Sequence, residues 1–163
     1  MKIVAYTDGA CSCNPGPGGW AAILSNGIKV KEISGAEVHT TNNRMELLAV
    51  IETVKYFEKH IVKNVNRSQR FKLDIYSDSA YVVNSVKKGW LKKWVKNGFK
   101  KTKGGEIQNI DLWQELNGLL RNHEVTIIKV KGHDGNELNE KADKLAYRIG
   151  SSLLAVLLSF LDY

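Results

Sequence analysis

The apolar residues of this chain change their spacing near Asn43, and that change restricts the fold more than any other feature. Before it, three apolar runs are typical of β-strands, and a tight turn at residues 25–27 separates the second run from the third. After it, helical and strand-like runs alternate. This order predicts an α/β fold with a mixed five-stranded sheet, three antiparallel strands and then parallel ones, flanked by helices.

The individual elements follow from the same periodicity. The predicted strands are residues 2–7, 20–24, 28–33, 71–76 and 125–130. The predicted helices are residues 43 to about 60, a segment starting at 77–79, then 111–121 and 138–149. Thr41 or Asn42 is expected to cap the first helix, and Ser77 or Asp78 the second. The polar stretch 61–70 is expected to be a loop.

The size of the chain, 163 residues, fits one domain with one core. We assign residues 1–150 to that domain and 151–163 to an apolar C-terminal tail. The tail is far shorter than the roughly 20 residues that cross a bilayer, so no membrane association is expected. It either packs on the sheet as an extra helix or pairs with another copy of an otherwise monomeric chain.

The two cysteines, Cys11 and Cys13, are one residue apart. A disulfide across so short a gap would be strained, so we expect two free thiols in a reducing compartment. The N-terminus runs directly into strand-like sequence without signal character, which also favours the cytoplasm.

Positive charge is concentrated in one segment. The net charge is +7, and residues 87–103 contain eight lysines and no acidic residue. Removing these eight from 24 basic residues leaves 16 against 17 acidic ones, so the remainder is nearly neutral. A basic block on a neutral body indicates a surface for a polyanion, most commonly nucleic acid.

Four carboxylates, Asp8, Glu46, Asp78 and Asp143, lie at the ends of strand-like runs or near helix starts. Taken singly, they have ordinary explanations: a turn residue, a charge complementing a helix dipole, a helix cap and a solvated helical charge. Taken together, they suit a site that holds hard divalent cations, because clustered carboxylates repel one another unless cations bind between them.

The strings around these acids carry a resemblance that extends from Thr7 to about Tyr147. They are Thr7-Asp8-Gly9, residues 14–19 (NPGPGG), residues 41–47 (TNNRMEL), Ser77-Asp78-Ser79, residues 111–113 (DLW), residues 131–133 (KGH), and Asn139-Glu140 with Ala142-Asp143. With these strings in this order, the chain resembles the type 1 ribonuclease H family. The resemblance implies a ribonuclease H-like fold and an endonuclease that hydrolyses the RNA strand of RNA/DNA hybrids, giving 5′-phosphate and 3′-hydroxyl ends. Removal of primers and R-loops is the implied role.

The resemblance also implies the catalytic residues. The four carboxylates are expected to hold two Mg²⁺ ions at the scissile phosphate, with Mn²⁺ as a possible substitute. Asp8 is the best candidate to bridge both ions, because its strand is expected to be central in the sheet. His133 is expected to aid proton transfer or product release, since a histidine titrates near neutral pH.

Substrate contacts are implied in the same way. Residues matching Asn14 and Asn42 contact the RNA side in the family, and those matching Thr41 and Asn109 hold a DNA phosphate. For Asn14 and Thr41, capping or turn chemistry is an equally good explanation from the sequence alone.

The segment 87–103 resembles the basic handle of bacterial members. Its tryptophans can form a small core with solvated lysines around them. We favour a division in which Trp90 packs while Trp94 and Phe99 shape a groove for the DNA strand. Phe99 stands where the family commonly has Trp, and Ala80 where Gln is frequent.

Two other functions are considered. A non-catalytic hybrid-binding module would be favoured by loss of a carboxylate, and none is lost. A nuclease of the same fold with another substrate, such as a DNA-joining recombinase, is disfavoured by the handle and the 41–46 string. Because the first strand begins near residue 3, all hybrid binding is expected to come from this domain.

Overall fold

A computed structural model describes residues 2–62, 71–100, 105–132 and 135–159. These residues form five strands and five helices, with a single π turn, Glu58–Val62, directly after the first helix. The strands are β1 Lys2–Cys11, β2 Gly16–Ser25, β3 Val30–Thr40, β4 Lys72–Ser77 and β5 Glu124–Lys129. The helices are α1 Asn42–Phe57, α2 Ala80–Lys87, α3 Trp90–Lys96, α4 Ile110–Asn122 and α5 Glu137–Ser159.

The five strands form one mixed sheet in the order β3-β2-β1-β4-β5. The first three strands are antiparallel, and β4 and β5 run parallel to β1 and to each other. The prediction of a mixed five-stranded sheet is therefore confirmed, and so is the central position of the strand that carries Asp8.

Helices cover both faces of the sheet because the strands alternate apolar residues between them. One face, with Ala5 and Ile75, packs under α1, α2 and α4, where Trp113 is fully buried. The other face, with Ile23 and half-buried Tyr6, packs against α5 through a second apolar cluster. Burial of each large apolar side chain contributes about 1.5–3 kcal/mol. This two-sided core fixes where the ends of β1 and β4 lie.

The strands extend further than the sequence predicts. β1 continues beyond Asp8 to Cys11, and β2 already begins at Gly16, so the glycine-rich stretch is strand rather than turn. The reason is tertiary pairing: residues 8–11 pair with residues 18–21. A Cβ added at Gly19 would lie 2.4 Å from the carbonyl oxygen of Ala146, so glycine here permits close packing of α5.

The cap of α1 is the predicted Thr41, whose Oγ1 accepts from the backbone N–H of Arg44 at 3.3 Å. The cap of α2 is Ser79, whose Oγ accepts from the N–H of Val82 at 3.2 Å. The prediction of Ser77 or Asp78 was therefore wrong. The chain stays extended for two residues after β4, so the Asp78 carboxylate does not serve as the cap.

The described part of the C-terminal tail is not a separate helix packed on the sheet, which was one of the two alternatives from the sequence. Residues 151–159 continue α5 without a break, because nothing in that stretch interrupts the helix. Val156 and Leu158 are about half exposed, at 53% and 51%. No helix in the described part of the chain is long and apolar enough to cross a membrane. Residues 160–163, and 63–70 of the predicted loop, lie outside the described residues.

Gly9 allows the closest contact between β1 and α1. A Cβ at this position would lie 2.3 Å from the backbone nitrogen of Glu46 and 2.4 Å from the carbonyl carbon of Met45. We therefore predict that Gly9→Ala lowers the free energy of unfolding by about 3 kcal/mol, because neither backbone can move freely. Urea denaturation at equilibrium measures this change.

Gly118→Ala is the matched control for that substitution. Gly118 lies inside α4, and an added Cβ would meet nothing within 4 Å. The substitution is expected to stabilise the protein by about 1 kcal/mol through helix propensity. Equal effects of the two substitutions would contradict the assigned contact between β1 and α1.

Candidate active site

Three aspartates converge where the parallel pairing of β1 with β4 ends. Asp8 lies on the same face of β1 as Tyr6, the face that α5 covers, and Asp143 lies on α5. Asp78 follows the last residue of β4, the parallel neighbour of β1. Each carboxylate is half-buried. The strand pairing and the packing of α5 therefore bring together three acids that are far apart in sequence.

The pKa of Asp8 is raised to about 8, in part because the other two aspartates are near. Burial is the largest cause, and the charge of Asp78 is the next. The backbone N–H of Gly9, which donates to Asp8 Oδ1 at 2.8 Å, acts in the opposite direction. The charge of Asp143, and the hydrogen bond that protonated Asp8 donates to the Asp143 carboxylate, raise the pKa further. A carboxyl held this way strongly favours a proton or a cation.

Glu46 joins the group from the other face of the sheet. Its side chain accepts a hydrogen bond from Ser79 Oγ and another from Asn42 Nδ2, the latter at 3.0 Å. Burial raises its pKa, the bond from Ser79 lowers it, and the charge of Asp78 raises it again. Glu46 therefore belongs to the same electrostatic cluster as the aspartates, and all four predicted carboxylates are brought together.

His133 lies outside the described residues, and its predicted role stays a prediction. The residue before it, Gly132, runs close to the cluster. A Cβ added to Gly132 would lie 2.8 Å from Asp78 Oδ2.

The chemistry of the cluster fits divalent metal ions. Its donors are carboxylate oxygens, which Mg²⁺ and Mn²⁺ prefer, and their mutual repulsion would be relieved by positive charge. In the part of the chain that the structure describes, no three acidic, histidine or cysteine side chains are arranged as a ready-made metal site. Asp8 and Glu46 instead accept hydrogen bonds from Gly9, Ser79 and Asn42. The residues thus fit such ions by donor type, and Asp8, Asp78 and Asp143 lie close enough to interact electrostatically.

The predicted RNA-side residues connect directly to this cluster. Asn14 Oδ1 accepts from the backbone N–H of Asn42 at 2.9 Å, and Asn42 in turn donates to Glu46. Thr41 caps α1 next to them. The structure therefore brings Asn14, Thr41 and Asn42 together at the start of α1, beside Glu46.

Asn109 lies at the start of α4 and is held by an aromatic group. Its Nδ2 donates to the Tyr81 hydroxyl at 3.1 Å, and the buried Trp113 Nε1 donates to the same oxygen at 2.9 Å. Asn109 has a φ of 55°, a left-handed conformation that asparagine tolerates better than most residues. Arg44 joins the two helix starts, since its guanidinium donates to both carboxylate oxygens of Asp111 at 3.1 and 2.8 Å.

The structure corrects the role predicted for one of the two handle tryptophans: Trp90, which was expected to pack, is exposed. Trp94 is half-buried and packs edge-on against Trp113, with ring centroids 5.4 Å apart, at the margin of the main core. Trp90 is 39% exposed, with the ammonium of Lys88 5.5 Å from its ring centroid. Both line a cavity of about 250 Å³ beside Tyr81. Sequence spacing could not distinguish them, because they are four residues apart and share a helix face.

Comparison with known proteins agrees with this geometry. The family model described as RNase H matches residues 1–150. The chain belongs to the ribonuclease H family.

Individual relatives share both the sequence and the fold. A ribonuclease H of Syntrophomonas wolfei is 49% identical over 152 residues, which cover 93% of this chain and 98% of that protein. The crystal structure of LC9-RNase H1, a type 1 RNase H with the type 2 active-site motif, superposes with a TM-score of 0.77 at 28% identity. It covers 93% of this chain and 73% of that one. LC11-RNase H1 in complex with RNA/DNA hybrid has the same fold, with a TM-score of 0.69 at 21% identity over 93% of this chain and 99% of that one.

Sequence reasoning missed three residues of the site. Ser79 was part of a matching string but received no role, Tyr81 was not considered, and Lys129 was counted only as part of a strand-like segment. Their roles depend on long-range contacts to Glu46, Asn109 and Asp78, which lie at least 28 residues away in sequence. The only local signal was the preference of serine for helix caps.

The raised pKa of Asp8 predicts how the stability of the metal-free protein depends on pH. The folded protein holds this proton up to about pH 8, whereas the unfolded chain releases it near pH 4. The resulting stability is therefore fully present below pH 4 and declines as pH rises to about 8. With EDTA, Asp8→Asn should show a shallower decline and exceed the original chain by roughly 4–8 °C in Tm at pH 8.5.

Thermal unfolding between pH 5 and pH 8.5 measures this difference. Glu124→Gln, an exposed carboxylate at the opposite end of β5, is the control and should follow the original chain. Identical pH profiles for the original chain and Asp8→Asn would show that ionisation of Asp8 does not destabilise the folded protein.

Proposed function

We propose that this protein is an endonuclease that hydrolyses the RNA strand of RNA/DNA hybrids with two divalent ions, Mg²⁺ or Mn²⁺, leaving 5′-phosphate and 3′-hydroxyl ends. The observation that carries the proposal is the convergence of Asp8, Asp78 and Asp143, where burial and the neighbouring charges together raise the pKa of Asp8 to about 8. Membership in the ribonuclease H family supports it. Removal of primers and R-loops in the cytoplasm, by a monomer, is the corresponding cellular role.

The four carboxylates would hold the ions, and Asp8 is the proposed bridge because it lies on the central strand and interacts with both Asp78 and Asp143. When bound, such ions activate a water molecule and stabilise charge on the leaving 3′ oxygen. Ser79 and Asn42 keep Glu46 oriented toward the cluster. The N–H of Gly9 favours the ionised form of Asp8, which is the form that binds a cation.

Recognition of the hybrid would rest on the starts of α1 and α4. Asn14 and Asn42 lie next to Glu46, where the RNA strand must pass if its phosphate is to reach the carboxylates. Short polar side chains suit contacts to 2′-hydroxyls, which distinguish RNA from DNA. Thr41 and Asn109 are the proposed partners of a DNA phosphate. The likeness to LC11-RNase H1, whose structure contains an RNA/DNA hybrid, is consistent with this arrangement.

The basic handle would supply affinity that does not depend on sequence. In the described residues it consists of the end of α2, the helix α3 and the residues up to Lys100, and Lys101 and Lys103 lie outside them. Its lysines are exposed, and Trp90 and Trp94 line the cavity beside Tyr81. Because Trp90 is exposed, we propose that it helps to form the groove together with Trp94 and Phe99. Such binding weakens steeply as salt increases.

The proposal is tested by cleavage of a 5′-labelled RNA strand annealed to DNA. The expected result is cutting of the hybrid in Mg²⁺, no cutting in EDTA, and no cutting of matched RNA/RNA or DNA/DNA duplexes. Asp8→Asn should lower the rate at least about 1,000-fold while leaving hybrid binding intact, because it removes charge from the proposed metal bridge.

Glu124→Gln again serves as the control, since it removes a carboxylate far from the cluster and should cut at the original rate. Tight hybrid binding without cutting, in Mg²⁺ and in Mn²⁺, would indicate a non-catalytic hybrid-binding module. Cutting that survives both EDTA and Asp8→Asn would refute the metal mechanism.

A further inference from the structure

Lys129 is placed beside the carboxylate cluster by the sheet itself. It is the last residue of β5 and pairs with Ser77, the residue that precedes Asp78. It lies on the same strand face as Ile127, which is buried in the main core on the side of the sheet that α1, α2 and α4 cover. The side chain of Lys129 therefore emerges on the face of the sheet from which Glu46 approaches.

One hydrogen bond locates the ammonium group. Lys129 Nζ donates it to the backbone carbonyl oxygen of Asp78. In this position the ammonium is also close enough to Glu46 for the two opposite charges to attract. The hydrogen bond uses one of the three N–H groups of the ammonium.

A simpler explanation is that Lys129 is an ordinary solvated lysine at a strand end, since its side chain is exposed. A solvated lysine would have no fixed relation to the cluster. Here the hydrogen bond to the Asp78 carbonyl holds the ammonium beside the backbone of Asp78. In that position its charge also acts on Glu46.

We propose that the Lys129 ammonium acts as a fixed positive charge beside the carboxylate cluster. It offsets repulsion between Glu46 and Asp78 before a divalent ion binds, and it weakens the binding of that ion. The inference rests on the proposed function, because it requires the cluster to be a divalent-metal site. Lys129 is thus a residue that sets metal affinity, distinct from the four carboxylates that would hold the ions.

The expected size of the effect follows from simple electrostatics. A positive charge within several ångströms of a divalent ion, in a partly solvated site, repels it measurably. Removing that charge should tighten Mg²⁺ binding by about three- to tenfold at low ionic strength, and added salt should reduce the difference. Removing it should also lower the Tm of the metal-free protein at pH 8, where the carboxylate repulsion is no longer offset.

The test is isothermal titration of MgCl₂ into the metal-free full chain, without nucleic acid. Lys129→Met and Lys129→Gln remove the charge, and Lys129→Arg retains it. Lys31→Met, on the edge strand β3 at the far end from the cluster, makes the same change in net charge elsewhere. We expect tighter Mg²⁺ binding for Lys129→Met and Lys129→Gln, and unchanged binding for Lys129→Arg and Lys31→Met.

The possible outcomes separate this inference from the proposed function. If the original chain binds Mg²⁺ but neither uncharged variant binds it more tightly than Lys31→Met, Lys129 is only a surface lysine and the inference fails alone. If the original chain binds no Mg²⁺, the proposed metal site fails and the inference fails with it. An independent readout is the Mg²⁺ concentration that gives half-maximal hybrid cleavage, which should fall by the same factor in Lys129→Met.

Discussion

Repulsion between carboxylates that the fold holds close together is the constraint on which the site depends. Asp8 shows it most clearly, since burial and the charges of Asp78 and Asp143 together raise its pKa to about 8. Four separated acids in water would simply move apart. Here the pairing of β1 with β4 and the packing of α5 hold the acids in place. The free energy gained from core packing therefore offsets the repulsion between the carboxylates.

The close approach of backbones makes this convergence possible. Gly9 lets α1 approach β1, and Gly19 lets α5 approach β2. Helices from both faces therefore bring carboxylates to the place on β1 where its pairing with β4 ends. Hydrogen bonds then orient the side chains. Asn14, Asn42 and Glu46 form one connected chain, and Tyr81 holds Asn109 at the start of α4. The catalytic and substrate-binding parts of the proposed site therefore share a single framework.

Much of the fold and of the candidate site could be predicted from the sequence, because short local strings of residues indicate them. The mixed sheet, the central β1 and the Thr41 cap follow from periodicity and residue preference, and the four acids follow from the strings around them. The remainder depended on long-range contacts. Pairing of β1 with β2 overrides the turn preference of residues 16–19, and packing against Trp113 leaves Trp94 more buried than Trp90. From the sequence alone, Lys129 is only a residue of a predicted strand. Its position beside Asp78 follows from the pairing of β5 with β4.

The most direct test of the metal site is anomalous scattering from crystals of the protein grown with an RNA/DNA hybrid and Mn²⁺. The account predicts two Mn²⁺ peaks at the carboxylate cluster, both in contact with Asp8 and both beside a phosphate of the RNA strand. A hybrid bound in register at the cluster without any Mn²⁺ peak there would contradict it. A single peak that Asp8 does not contact would contradict the assignment of Asp8 as the bridge.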